Sequence, residues 1–186
     1  MADENQPQDS PVEFEHHHSV HVGEPDAQGR RITPWSWIPT VYFAQGLQYA
    51  IVIQLLVVIF FTMGVPLGKA LLWIGLLQLP WTLKPLWGPL VDKYWTKRRW
   101  TFVMQFIVGL CFIGAAFMLL LPGQQFFMPA ILFLFGVAFA AATHDIACDG
   151  YYMMGLNEKQ QAFFVGIRST VFRLALIFAN GALPFI

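Results

Sequence analysis

Charge is scarce in this sequence: Asp, Glu, Lys and Arg make up 12% of its 186 residues, while hydrophobic residues make up 56%. A water-soluble domain carries about twice that charge, so the composition excludes one and points to a chain that lives in a bilayer. Cysteine is almost absent as well. The two present, Cys111 and Cys148, fall in different apolar runs, which leaves no disulfide framework and no cysteine metal cluster to build; both read as small packing residues. The formal net charge is zero because an acidic N-terminal segment cancels basic loops, so nothing in the balance calls for a nucleic-acid partner. Also lacking are the H-E-x-x-H helix of zinc proteases, a paired aspartyl-protease motif and a nucleophile elbow. Their absence argues against an enzyme, and no cofactor or metal is assigned.

Long apolar runs, by contrast, are plentiful. A hydrocarbon core about 30 Å thick needs about 20 helical residues, and runs of that length occur at 37–62, 70–91, 100–121, 127–156 and 163–186. The expectation is an all-α membrane protein with five transmembrane helices in residues 35–186, preceded by a disordered tail over 1–34. The first 29 residues hold seven acidic and no basic side chains and show no hydrophobic periodicity. They lack the basic start and short apolar core of a cleavable secretory signal, so the first span itself should direct the chain to the membrane. Within the tail, His16, His17, His18 and His21 could meet a transition metal, but a disordered segment offers no fixed geometry.

Basic residues orient the spans. Arg30, Arg31, Lys93, Lys97, Arg98, Arg99 and Lys159 all fall on one side, against Lys69 alone on the other. The positive-inside rule then puts the N-terminus and both charged loops in the cytoplasm. Trp35, Trp37, Trp95 and Trp100 stand where an interfacial aromatic belt belongs. Pro80, Pro85 and Pro89 in the second run, with Gly46, Gly64 and Gly75 elsewhere, predict bent helices; ordinary close packing and a moving transporter helix both use such bends.

Two carboxylates inside the fourth run matter most for function. Asp145 and Asp149 are four residues apart, hence on one helix face, and an ionised group at mid-bilayer costs at least about 2.5–3.5 kcal/mol. If spans four and five turn back to back around Lys159, Asp145 lies level with Arg173 and Asp149 with Arg168. The two arginines are five residues apart, about 140° around the helix, so one of them must face elsewhere, and Lys84 competes for its place. His144 is a candidate proton relay beside Asp145. Tyr42, Gln45 and Tyr49 form a polar stripe on one face of the first span. Two readings of this set stand: a structural ion network that fixes packing, or a polar path for a proton or charged solute.

The segment Trp87, Gly88, Pro89, Leu90, Val91, Asp92, Lys93, followed by Lys97, Arg98 and Arg99, resembles the signature loop between the second and third helices of the major facilitator superfamily, with Trp95 where a Gly is usual. That resemblance implies that Gly88 allows close helix packing and that Asp92 and the basic residues form a cytoplasmic gate. Lys84, Leu86, Trp87, Pro89 and Asp92, then Asp145, Ile146 and Asp149, then Arg173 and Leu174, look like AmpG-type permeases and the similar acetyl-CoA transporters. The run Tyr42, Phe43, Ala44, Gln45, Gly46, Leu47 fits the same group, with Gln48 in place of an expected Pro. The resemblance implies proton-driven import of a muropeptide-like or other polar anionic small solute across a bacterial inner membrane. Such transporters hold two bundles of helices, so the chain is expected to be an incomplete N-terminal bundle of the major facilitator fold, completed by a missing C-terminal half or a second subunit. A non-transporting membrane remnant that binds or assembles is the alternative.

Overall fold

A computed structural model of the chain describes residues 33–181. The predicted tail, with its histidines and with Arg30 and Arg31, and the end of the predicted fifth span at 182–186 lie outside the described residues. Every regular element among the described residues is helical. The first element among the described residues is a rod over Pro34–Thr62, in which a 3-10 turn leads into α1 (Ile38–Ala50), a π turn follows at Ile51–Leu55, and α2 (Leu56–Thr62) completes the run. Three short helices come next, α3 (Leu67–Leu77), α4 (Leu79–Thr82) and α5 (Lys84–Lys93), and then three long ones, α6 (Lys97–Leu119), α7 (Phe127–Gly155) and α8 (Glu158–Gly181).

Four helical rods, Pro34–Thr62, α6, α7 and α8, are long and apolar enough to cross a membrane without a break. The protein is therefore an all-α membrane protein. The predicted second span differs from the other four, being helical but interrupted at Gln78 and Leu83. Prolines explain the breaks: Pro80 has no N–H for the carbonyl of Leu76, and Pro85 none for that of Trp81. Tighter three-residue bonds take over, from Gln78 to Gly75, Trp81 to Gln78 and Leu86 to Leu83.

The helices pack in a fixed register. Antiparallel α6 and α7 meet with Gly114 against Phe133, Gly136 against Cys111, and Gly150 under the Lys97 side chain. Here α7 is central, with Leu134, Val137, Ala138 and Ala142 all at most 1% exposed. Phe126 and Phe127 at its start pack on Phe60 with ring centroids 6.3 and 5.2 Å apart, closing the end opposite the basic loop. The first rod and α8 run parallel, pairing Tyr42 and Gly46 of α1 with Arg168 and Phe172, and Gln54 of the π turn with Asn180. At Gly46 the approach is so close that a Cβ would sit 2.7 Å from the Phe172 carbonyl oxygen. No other residue type fits there without moving a helix. The site lies where these two packed units, α5–α6–α7 and α1–α8, face each other.

Candidate functional site

Two ion pairs form side by side on α7. Asp145 pairs with Lys84 at the start of α5, and Asp149 pairs with Arg168 of α8 at 3.2 Å. The second is a three-way arrangement: the Tyr42 hydroxyl donates to the Asp149 carboxylate at 3.0 Å and accepts from Arg168 Nη1 at 3.2 Å. The guanidinium also stands over two rings, 4.9 Å from the Tyr42 centroid and 5.1 Å from that of Tyr152. This combination of carboxylate, hydroxyl and aromatic faces holds an arginine firmly, because hydrogen bonding and quadrupole attraction act together in a site of low dielectric.

The pairs border an open cleft of about 280 Å³, whose walls include Tyr42, Gln45, Asp145, Asp149, Arg168 and Arg173. A second cavity of about 170 Å³ shares Gln45, Asp145 and Phe172 with it and extends to Gln48, Tyr49 and Trp81. The stripe on the first span thus divides, with Tyr42 in one compartment, Tyr49 in the other and Gln45 in both. Tyr49 accepts a hydrogen bond from Gln78 at 3.3 Å, at the break in the second span.

The geometry departs from the sequence reading at three places. Arg173 does not pair with Asp145, although it lines the same cleft; Lys84 occupies that role. Once α8 turns Arg168 toward α7, the 140° offset swings Arg173 aside, while the Pro85 break brings the start of α5 to α7. His144 is 1% exposed, lies 3.6 Å from the Cys148 sulfur and is not part of the cleft wall, and no hydrogen bond joins it to Asp145 among the described residues. Gly88 has open space around it, with nothing within 4 Å of an added Cβ, so it makes no close helix contact among the described residues.

At the basic loop, Asp92 pairs with Lys97. Lys97 is 9% exposed and lies across α7 at Gly150, whereas Lys93, Arg98 and Arg99 are exposed. Of the four basic gate candidates, Lys97 is the one buried against the bundle, while Arg98 borders a cavity with Trp37 and Tyr151. Thr96 caps α6 by accepting from the Arg99 N–H at 3.4 Å.

Sequence reasoning missed three contributors. Tyr152 stacks under Arg168, and its position three residues after Asp149 already placed it on the same face. Gln48 donates to Gln105 of α6 at 2.9 Å, and Phe172 forms the wall shared by the two cavities. Neither had a local signal, since both depend on how neighbouring helices approach.

Residues 45–170, about two thirds of the chain and including both carboxylates with Lys84 and Arg168, match the BT1 family. The chain belongs to the BT1 family. Among curated relatives of this BT1 family member are two proteins named "Putative transporter AmpG 3". The one from Rickettsia prowazekii (strain Madrid E) is 29% identical over 117 residues, covering 58% of this chain and 27% of the relative. The other, from Rickettsia typhi (strain ATCC VR-144 / Wilmington), is 30% identical over 121 residues, covering 59% and 28%. The matched region thus spans little more than a quarter of the length of these relatives. No solved structure matches.

Proposed function

We propose that this BT1 family member is the first part of a secondary transporter of the major facilitator type, importing a muropeptide-like or other polar anionic solute with protons across a bacterial inner membrane. The observation that carries the reading is the convergence of Lys84–Asp145 and Arg168–Asp149 on one open cleft between transmembrane helices. Charged pairs are expensive at that depth, and open access to them is of no use to a purely structural network. The names of the relatives support the same class. In this reading Asp145 and Asp149 are the groups that exchange protons, Tyr42 and Arg168 hold Asp149 in place, and the cleft takes the solute. Asp92, with Lys97 and its neighbours Gly88, Lys93, Arg98 and Arg99, forms a gate whose closed state is the Asp92–Lys97 pair. The N-terminus and this loop face the cytoplasm, and further helices of a longer protein or a second subunit supply the other wall.

A second reading has its own support, because the match covers about a quarter of each relative and the cleft is open on one side. In it the chain binds solute or assembles with partners without transporting. Reconstitution in liposomes loaded with a pH-sensitive dye separates the two. Under an imposed inward proton gradient, a labelled anhydro-muropeptide should accumulate with acidification of the lumen, and D145N should abolish both. Solute binding without flux by the wild-type chain would favour the second reading.

A further inference from the structure

Arg168 and Arg173 line the cleft with Asp145 and Asp149, and both anions are already engaged, Asp149 by Arg168 and Asp145 by Lys84, which reaches it from α5. Arg173 is left without an acidic partner among the described residues, although it lies well inside a helix of 24 residues. A guanidinium at that depth is kept at a cost unless something meets it. A second unmet group lies beside it. Gln45 is 7% exposed, and its amide Nε2 is fully buried without a hydrogen-bond partner. Such orphaned donors are rare in folded proteins, and a carbonyl brought into the cleft would complete this one.

The two groups are held together by a close backbone contact between helices. Gly46 touches Phe172 where α1 crosses α8, and Gln45 and Arg173 are the immediate neighbours of those two residues. Both line the same cleft. Neither can drift away from the other without opening that crossing.

We infer that Arg173 and Gln45 form the solute-recognition subsite of the cleft, with Arg173 gripping a carboxylate and Gln45 donating to a neighbouring amide carbonyl, while the two ion pairs stay out of direct anion contact. The fork of a guanidinium matches the two oxygens of a carboxylate, and a primary amide N–H matches a carbonyl. The inference rests on the proposed solute-binding role of the cleft and names the chemistry it selects: a carboxylate next to an amide, as at the end of an acylated peptide.

The test uses the whole chain in nanodiscs of neutral phosphatidylcholine, so that no anionic lipid competes. Calorimetry at pH 7 compares N-acetyl-alanyl-alanine with its C-terminal carboxamide, which removes the charge and keeps the shape. The free acid should bind about tenfold tighter than the carboxamide, as a charge-assisted pair predicts. R173Q should bring the two within twofold, whereas R173K, which keeps the charge without the fork, should retain part of the preference. Q45L should weaken both compounds alike by several-fold, because it removes the carbonyl contact and not the carboxylate one. Acid and carboxamide bound equally by the wild-type chain, or a preference that survives R173Q, would overturn the subsite while leaving a solute-binding cleft intact. Failure of either compound to bind a chain with a cooperative thermal unfolding transition would overturn the subsite and the solute-binding reading together.

Discussion

Trp95 has a φ of +61°, the one left-handed backbone among the non-glycine residues described. A side chain with a Cβ costs roughly 1–2 kcal/mol in that conformation. The same position is where the resembling transporter loops carry Gly, so the sequence marked the departure and the backbone supplies its physical meaning: the turn into α6 requires a left-handed residue whatever occupies it. Trp95 offsets part of the strain by packing on Trp100, with ring centroids 5.1 Å apart, worth about 0.5–1.5 kcal/mol. A reversed ranking follows. W95A loses the stacking and keeps the strain, while W95G loses both, so W95G should be more stable than W95A by about 1 kcal/mol. Reversible unfolding in mixed micelles measures the difference; W95A equal to or above W95G would show that the turn does not impose its backbone on residue 95. The carboxylates were equally legible from sequence, since a pair of acids in an apolar run stands out by cost alone. The partner of Asp145 was not, because depth along a helix can be read from residue numbers and rotation about its axis cannot.

At the scale of elements, the four continuous rods could be read from apolar length, and the level pairing of Asp149 with Arg168 from the short turn between α7 and α8. What the residues concealed was the path of the second span. Its prolines announced bends, but the direction of each bend depends on what packs alongside, and that direction brings Lys84 to Asp145 and Tyr49 to Gln78. The π turn at Ile51–Leu55 was likewise unannounced, as neither Pro nor Gly occurs in those five residues. The α1–α8 crossing is the element contact most open to test. A Cβ at Gly46 would lie 2.7 Å from the Phe172 carbonyl oxygen and 2.8 Å from the Ala175 Cβ, so G46A must push the helices apart, at about 1–3 kcal/mol. G75A is the control, since an added Cβ there meets nothing within 4 Å. Unfolding midpoints in the same micelles should fall for G46A and stay within about 0.5 kcal/mol of wild type for G75A. Equal midpoints for the two would mean that the crossing at Gly46 is looser than its geometry.

For the whole molecule, the open question is whether the charges on α7 hold the bundle together or serve passage through it, and the Lys84–Asp145 pair can answer it. Each side chain is about a quarter exposed, 26% for Lys84 and 22% for Asp145, so the full penalty for an orphaned buried charge, about 3–5 kcal/mol, does not apply. A loss of about 1–3 kcal/mol is expected from D145N, which strands the ammonium, and a similar loss from K84M, which strands the carboxylate. The double variant K84M/D145N strands neither. Its stability should return most of the way to wild type, a coupling that a double-mutant cycle reads directly. Function must then part company with stability if Asp145 moves protons, because asparagine keeps the shape of the carboxylate and has no proton to exchange. Solute-dependent acidification in the dye-loaded liposomes should therefore stay absent in the refolded double variant. Normal proton movement by that variant would reduce the pair to a packing device and shift the burden of coupling to Asp149, which remains joined to Tyr42 and Arg168.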